Sequence, residues 1–376
     1  MRIAVDARSL STRPTGVGHF LLAALNAWTS LDPSPEFLLL SHRPLDPAAE
    51  QALQPSSRLS FRHCPGRIFP GNGLVWLNTE YERQANALGA THLWGAGGVM
   101  PAWRQSNAKR ILTVHDLVFR SLPWTMSWRA RLAYTLLAGR AIRDADLLWC
   151  VSEFTAREVR KHYPKRRATD ITCGSGLNPM RQQMTLPASE ESALLQRYRV
   201  DDKTLLFVGT LEPRKNLAFL LGLMPRLNDL GFSLLVVGCS GWGKDEIASV
   251  VNGKRFPRQA VQFCDYLSDA ALQTLYKHCA FFVSASLMEG FGLPQLEAMS
   301  AGCPVIAAAN SAVVEVVANG GMLIDGWSPD HWVNQIQLAF RHRDELSKAA
   351  LSAAAVHVMS DACRKIDAAI RDKLPT

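Results

Sequence analysis

The stretch Ala280–Pro304, AFFVSASLMEGFGLPQLEAMSAGCP, constrains this chain more than any other. Ala280-Phe281-Phe282-Val283 is a short apolar run of the length and composition of a buried strand. Ser284 to Gly292 is polar and carries Gly290 and Gly292, which let backbone come close to a ligand. From Pro294 the spacing turns helical, and it stops at Gly302-Cys303-Pro304. Strand, glycine-bearing loop and helix N-terminus in that order predict an α/β unit whose loop holds an anion, since first-turn N–H groups and the helix dipole both point into it. Two carboxylates bracket the loop, Glu289 within it and Glu297 about one turn into the helix. One ligand can meet both, with a phosphate on the helix end and sugar hydroxyls donating to a carboxylate. That is the logic of a nucleotide-sugar site. The plain alternative is a pair of glutamates on the wet face of a surface helix.

With 376 residues, 48% of them hydrophobic, the chain has material for two or three domains with substantial cores. No run of eighteen apolar residues occurs, so no segment is expected to span a bilayer. Met1-Arg2-Ile3-Ala4-Val5-Asp6 reads as a strand and leaves no room for a signal peptide. The eight cysteines are scattered, without a Cys-x-x-Cys pair, and most sit in apolar runs; buried free thiols in a reducing cytoplasm are expected rather than disulfides or zinc.

Charge is unevenly spread. Residues 1–180 hold 22 Lys and Arg against 13 Asp and Glu, a net of +9, while the remainder nets −1. A basic half predicts a polyanionic partner, either nucleic acid or an anionic membrane surface. No helix-turn-helix, zinc or aromatic-platform pattern favours nucleic acid, so none is expected. Pro123 to Ala141 places Trp124, Trp128, Arg129, Arg131 and Arg140 on one amphipathic stretch. It suits a membrane interface or a core-packed helix with a solvated basic face equally well.

In chain order, Ile3–Asp6 opens the first α/β unit, and Gly16 and Gly18 mark a strand-to-helix turn before a helix from about His19 to Trp28. Gly-x-Gly alone is weak. A dinucleotide fingerprint wants a third glycine and an acid closing the second strand, whereas Phe37–Leu40 runs into Ser41-His42. A nicotinamide oxidoreductase is disfavoured accordingly. Strand signals recur at 59–61, 91–94, 110–114 and 147–151. The third of these, 110–114, ends in His115-Asp116, at the edge where open sheets place ligands. His115 is either an active-site group or a strand-end imidazole bonded to backbone. After Gly174 and Gly176 a polar linker through Arg199 is predicted, then a second α/β unit from Lys203. Its first turn, Gly209-Thr210-Leu211-Glu212-Pro213-Arg214-Lys215-Asn216, sets two adjacent cations before a helix. Arg214 offers a bidentate fork and Lys215 a mobile point charge, a pair suited to a diphosphate; a solvated turn is the bland reading.

The Glu289-x7-Glu297 spacing around Glu-Gly-Phe-Gly-Leu-Pro, the Gly209–Asn216 string, His115-Asp116 and the Asp6–Gly18 opening together resemble retaining glycosyltransferases of family 4. The resemblance covers nearly the whole chain and is strongest from Gly209 to Gly321. It implies the GT-B fold, α/β with two Rossmann-like domains facing a cleft. The implied parts are an acceptor-side domain at 1–180, a nucleotide-sugar domain at 181–355, and a C-terminal helix at 356–376 packing back on the first domain. By the same resemblance His115, Lys215, Arg214 and Glu289 are catalytic. Gly16, Gly18, Thr210, Tyr266, Gly290, Phe291, Gly292, Leu293 and Glu297 bind the donor, with Glu297 on the ribose and Glu289 on the sugar. The loop Gly238 to Lys244 is similar to the variable loop near the nucleobase, and Val261–Asp269 to the turn holding the base by backbone contacts. Two positions depart from the pattern: Thr210 stands where many relatives have Arg, and Asp265 where most have Gly. No cofactor and no essential metal are implied. The Gly209–Asn216 string with Glu-Gly-Phe-Gly-Leu-Pro is similar to bacterial polysaccharide mannosyltransferases and their rhamnosyl relatives. The expected donor is therefore GDP-linked mannose or rhamnose, and the expected acceptor a growing lipid-linked glycan at the inner face of the cytoplasmic membrane. The rival within the fold is an inactive binding protein.

Overall fold

The structure is a computed structural model and describes residues 1–67, 71–239, 241 and 244–375, without the Lys244 side chain. The chain forms two compact units, residues 1–178 with 358–376, and residues 179–357. Among the described residues the first unit holds strands β1 (Arg2–Asp6), β2 (Glu36–Ser41), β3 (Leu59–His63), β4 (His92–Gly95), β5 (Lys109–Val114), β6 (Leu147–Cys150) and β7 (Thr169–Thr172). They make one parallel sheet in the order β3-β2-β1-β4-β5-β6-β7. The second unit holds β8 (Thr204–Val208), β9 (Ser233–Val237), β10 (Val261–Cys264), β11 (Phe281–Ser284), β12 (Val305–Ala308) and β13 (Gly321–Ile324), parallel in the order β10-β9-β8-β11-β12-β13. All-parallel sheets are covered by helices on both faces, which is why the central strands read as unbroken apolar runs such as Phe37–Leu40 and Phe281–Val283.

Each order reverses once, between β1 and β4 in the first unit and between β8 and β11 in the second. Loops leaving the carboxyl ends of two such strands part to opposite sides and open a crevice, the standard ligand position in open α/β sheets. The second crevice lies between the loops that begin at Gly209 and Ala285. The first is bordered by Asp6-Ala7-Arg8 after β1 and Ala96-Gly97 after β4.

The first core is built on aromatic rings: Trp94 and Trp149 stack with centroids 5.7 Å apart, and Trp28 meets both edge-on. A buried indole N–H needs an acceptor, and Trp28 donates to Asp367 of the last helix, Met359–Lys373, at 3.1 Å. That helix carries Met359, Ala362, Cys363, Ile366, Ala369 and Ile370 at helical spacing, all buried, and packs on the helix Gly16–Thr29. Thus the end of the chain belongs to the first unit.

Two local expectations are corrected. The first helix begins at Gly16, not near His19, so Gly16 and Gly18 lie in its first turn rather than in a preceding loop. A Cβ on Gly18 would sit 3.0 Å from the Ser9 carbonyl oxygen, so glycine here lets the Ser9 turn close against the helix. The supposed linker contains the helices Pro179–Gln182 and Ala188–Arg197. Of the cysteines, six are buried and free, but Cys239 is exposed and Cys264 half-buried. Residues 240, 242 and 243 of the expected base loop lie outside the described residues.

Candidate active site

The second crevice is shaped first by backbone. At the end of β8, Gly209 turns at φ +156°, and a Cβ on Gly238 would sit 1.9 Å from the Gly209 carbonyl oxygen. Only glycine at 238 lets the two loops abut. The chain then makes a tight turn at Pro213–Lys215, where Asn216 at φ +50° starts the helix Leu217–Asp229. On the other side, the loop after β11 is stitched to this turn by Leu287 N–H donating to the Arg214 carbonyl at 2.8 Å. It is pinned again by Asn310 donating to the Ser286 carbonyl and by Glu289 N–H donating to Ser311 Oγ, both at 2.9 Å.

These two loops bring Glu289 between two cations. Lys215 Nζ donates to Glu289 Oε1 at 2.6 Å and Arg214 Nη1 to Glu289 Oε2 at 2.8 Å. Ser286 Oγ donates to Oε1 at 2.7 Å. Arg214 is held in turn by Glu212 and by the Met288 carbonyl. Glu289 and Lys215 are both buried. Burial alone would raise the Glu289 pKa; Lys215, Arg214 and the hydrogen bonds from Lys215 and Ser286 outweigh it and hold the carboxyl at about 2. Behind Ser286 the chain of donors continues: Gln295 Nε2 to Ser284 Oγ at 3.1 Å, and Ser284 Oγ to Ser286 Oγ at 3.2 Å. Because a carboxylate only accepts, every hydroxyl in the series must point toward Glu289.

Gly292, at φ +108°, caps the helix Leu293–Ser300, a backbone turn that side chains strain to adopt. Glu297, on this helix, is buried and has one protein partner on each oxygen: Oε1 is paired with Arg181 and Oε2 accepts from Tyr276 Oη at 3.2 Å. Arg181 is paired as well with Asp269, at 2.8 Å.

The other expected donor residues are spread out. Thr210 is exposed on the β8 turn, and Tyr266 is 43% exposed just after β10. Gly290 and Leu293 flank Phe291, whose ring packs inward, edge-on to His357 with centroids 5.6 Å apart; what Phe291 can offer a ligand is backbone. In the first unit, His115 ends β5 with Nε2 2.7 Å from the Ala96 carbonyl and its ring edge-on to Phe20. A carbonyl accepts only, so Nε2 carries the proton and Nδ1 is left as an acceptor. Burial keeps this imidazole below its usual pKa, hence neutral at pH 7. A cavity of about 360 Å³ sits at this unit's switch point, lined by Asp6, Arg8, Ser9, Val17 and Gly97 among others. Asp6 is buried and bound by Arg8 at 2.7 Å.

Sequence reasoning missed Ser284, Ser286, Gln295, Tyr276 and Arg181. Ser286 lies three residues before Glu289 in the same loop, and no local rule marks that hydroxyl as its donor. Arg181 had no signal either, lying in a stretch read as linker. One Asp-x-Asp string occurs, Asp144-Ala145-Asp146; Asp144 is paired with Arg140, and Asp146 with Arg104 and Arg167. Among the described residues no three His, Cys, Asp or Glu are grouped so as to hold a metal ion.

Residues 16–174 match the family model "Glycosyltransferase Family 4", and residues 196–355 match "Glycosyl transferases group 1". The O-antigen chain mannosyltransferase B of Escherichia coli is 32% identical over 227 residues, 58% of this chain and 57% of that protein. The serotype-specific mannosyltransferase WbdA of Escherichia coli is 28% identical over 179 residues, 46% of this chain and 22% of that protein. The matches thus span little more than half of the first relative and under a quarter of the second. Among solved structures, Anabaena HepE in complex with UDP and glucose superposes with a TM-score of 0.70 at 17% identity, over 99% of this chain and 100% of that one. WaaG, a glycosyltransferase involved in lipopolysaccharide biosynthesis, superposes with a TM-score of 0.69 at 15% identity over the whole of both chains. A match to a family 4 model followed by a match to a group 1 model, each on its own parallel sheet, goes with the GT-B fold that this chain shares with those solved structures.

Proposed function

We propose that this protein transfers a hexose, with retention of anomeric configuration, from GDP-mannose or GDP-rhamnose to a growing lipid-linked surface polysaccharide such as O-antigen. The observation that carries the reading is the Lys215–Glu289–Arg214 cluster on two switch-point loops, one turn ahead of a glycine-capped helix that bears Glu297. Departure of a nucleoside diphosphate leaves negative charge on phosphate and positive charge on the sugar ring. Lys215 gives one of its three N–H donors to Glu289, so the same ammonium can also reach a phosphate oxygen. Arg214 and the first-turn N–H groups of Leu293–Ser300 add to the positive side, and Glu289 stabilises the sugar. Glu297 takes the ribose hydroxyls. Neutral His115, with Nδ1 as acceptor, serves the donor sugar near the acceptor, and attack comes on the face the diphosphate leaves. With two cations in place no metal is required, so EDTA should leave the rate unchanged.

The mannose assignment leans on the two named mannosyltransferase relatives. A thermal-shift panel of GDP, UDP and ADP, followed by labelled sugar transfer to a lipid-linked acceptor, tests it. The expected result is stabilisation by GDP. Stabilisation by UDP alone would overturn the donor while leaving the site.

For the acceptor we place the enzyme on the anionic inner face of the cytoplasmic membrane. No described helix is long and apolar enough to cross a membrane. The helix Trp128–Asp144 buries Ala138, Ala141 and Ile142 toward its end, but its first turns leave Trp128, Leu132 and Leu136 exposed in one stripe, with Trp124 71% exposed beside them. Of the basic residues nearby, Arg140, Lys161, Arg166 and Arg167 are paired with carboxylates. Among the described residues no ion pair holds Arg129, Arg131 or exposed Lys165, so these three carry the attraction, about 1 kcal/mol each near an anionic surface. The protein should sediment with anionic liposomes at low salt and come off at high salt. Arg129→Glu with Arg131→Glu should weaken sedimentation without harming donor hydrolysis. Equal, negligible binding to neutral and anionic vesicles would favour a soluble acceptor.

A further inference from the structure

Glu297 does not stand alone. Its two carboxylate oxygens are each occupied by one protein donor, Arg181 on Oε1 and Tyr276 Oη on Oε2. Arg181, its side chain 13% exposed, spans two acids, Glu297 on the helix Leu293–Ser300 and Asp269 at the start of the helix Asp269–His278. It comes from the four-residue helix Pro179–Gln182, the first element of the second unit, some 116 residues before its partner. Nothing in a nucleotide site requires a cation there, since a ribose is neutral and Arg181 cannot lose its proton.

We propose that Arg181 is the positioning residue that aims Glu297 at the nucleotide's ribose, with Asp269 fixing the guanidinium in turn. This inference rests on the reading that Glu297 binds the ribose. A carboxylate has about four acceptor directions, and two are taken here. The remaining two, one on each oxygen, are then set in a fixed plane, which suits the adjacent 2′- and 3′-hydroxyls of a ribose. An Arg fork can impose that plane because its own geometry is rigid, whereas Lys supplies charge without direction. Asp269 pairs with the other edge of the guanidinium, at Nε. With the two acids on either side, the guanidinium is charged in every accessible state, and its pKa is raised despite burial. Glu297 is therefore not left as an uncompensated buried charge, which would otherwise be costly. The ribose specificity of the second unit depends on the short segment with which that unit begins.

The test compares GDP, UDP and ADP with their 2′,3′-dideoxy counterparts, by calorimetric titration of the full-length protein and of Arg181→Lys, Arg181→Met, Glu297→Gln and the Arg181→Lys/Glu297→Gln double variant. Hydrogen bonds to a charged group support about a tenfold loss of ribonucleotide affinity in each single variant. The expected result is that this loss disappears with the dideoxy nucleotide, and that the double variant binds no more weakly than Glu297→Gln. Arg181→Lys keeps the charge and the stem, so a near-wild-type melting temperature in that variant separates aiming from folding. In turnover the Arg181 variants should raise the donor KM and leave kcat near wild type. Equal losses for ribo- and dideoxynucleotides, or full ribonucleotide affinity in Arg181→Lys and Arg181→Met, overturn the proposal. If Glu297→Gln itself keeps wild-type discrimination between the two nucleotides, the ribose reading of Glu297 fails and takes the proposal with it.

Discussion

Lys215→Ala should lower kcat about 10²- to 10³-fold, the cost of removing one preorganised charge donor from a leaving group, with a much smaller change in donor KM. The structure gives the reason for expecting more from Lys215 than from its neighbour. Lys215 is buried behind Gly209 and has Glu289 as its side-chain partner, so its ammonium is spent nowhere else. Arg214 already serves Glu212, Glu289 and the Met288 carbonyl. Arg214→Ala should therefore cost less in kcat, although it frees Glu212 and loosens the stitch between the loops. Lys215→Arg keeps the charge but swaps a point donor for a planar fork in a buried slot, and should rescue only part of the loss. Steady-state kinetics of the three variants at saturating donor decides it. Near-wild-type kcat in both alanine variants would remove charge stabilisation by this turn from the mechanism.

The parts of this molecule legible in the sequence are those where one local rule suffices. Apolar runs such as Phe37–Leu40 and Phe281–Val283 read as buried strands because parallel sheets are covered on both faces. The glycine-capped helix after Glu289 was legible because glycine, proline and helical spacing mark it together. What stayed hidden depends on distance along the chain. No local pattern shows that Lys215 and Glu289 meet, since β8 and β11 become neighbours only through the sheet order. The Arg181–Glu297 pair is further still from sequence logic, because a short polar stretch after two glycines is indistinguishable from a linker until the fold returns it to the site. The first turn at Gly16 is hidden for a simpler reason. Glycines are poor helix formers, so Gly16 and Gly18 read as loop, although Gly18 fits the helix closely against the Ser9 carbonyl.

The paired charges also set how the protein answers to acid and to loss of Glu289. The Glu289 carboxyl sits at about 2 in the folded protein, against a reference of 4.5. A depressed carboxylate stabilises the fold at every pH above its unfolded value and loses that contribution as pH falls through the folded value. The shift corresponds to about 3 kcal/mol, present above about pH 4.5 and lost progressively down to about pH 2. Glu289→Gln keeps the shape and hydrogen-bonding reach of the side chain but removes the charge that Lys215 and Arg214 face. Buried Lys215 then loses its carboxylate partner while half-buried Arg214 keeps Glu212, and an unpaired buried charge costs about 3–5 kcal/mol. The variant should therefore be markedly less stable at pH 7, while its stability should fall less steeply than wild type between pH 4.5 and 2. Both slopes can be read from urea unfolding across that range. A nucleoside diphosphate brings negative charge back to the same cations, so its addition at pH 7 should restore more stability to Glu289→Gln than it adds to wild type, while kcat stays low because the sugar has lost its carboxylate. Parallel pH profiles for the two proteins, or equal stabilisation by the nucleotide, would mean that the Lys215–Glu289–Arg214 contacts do not carry the charge balance of the site.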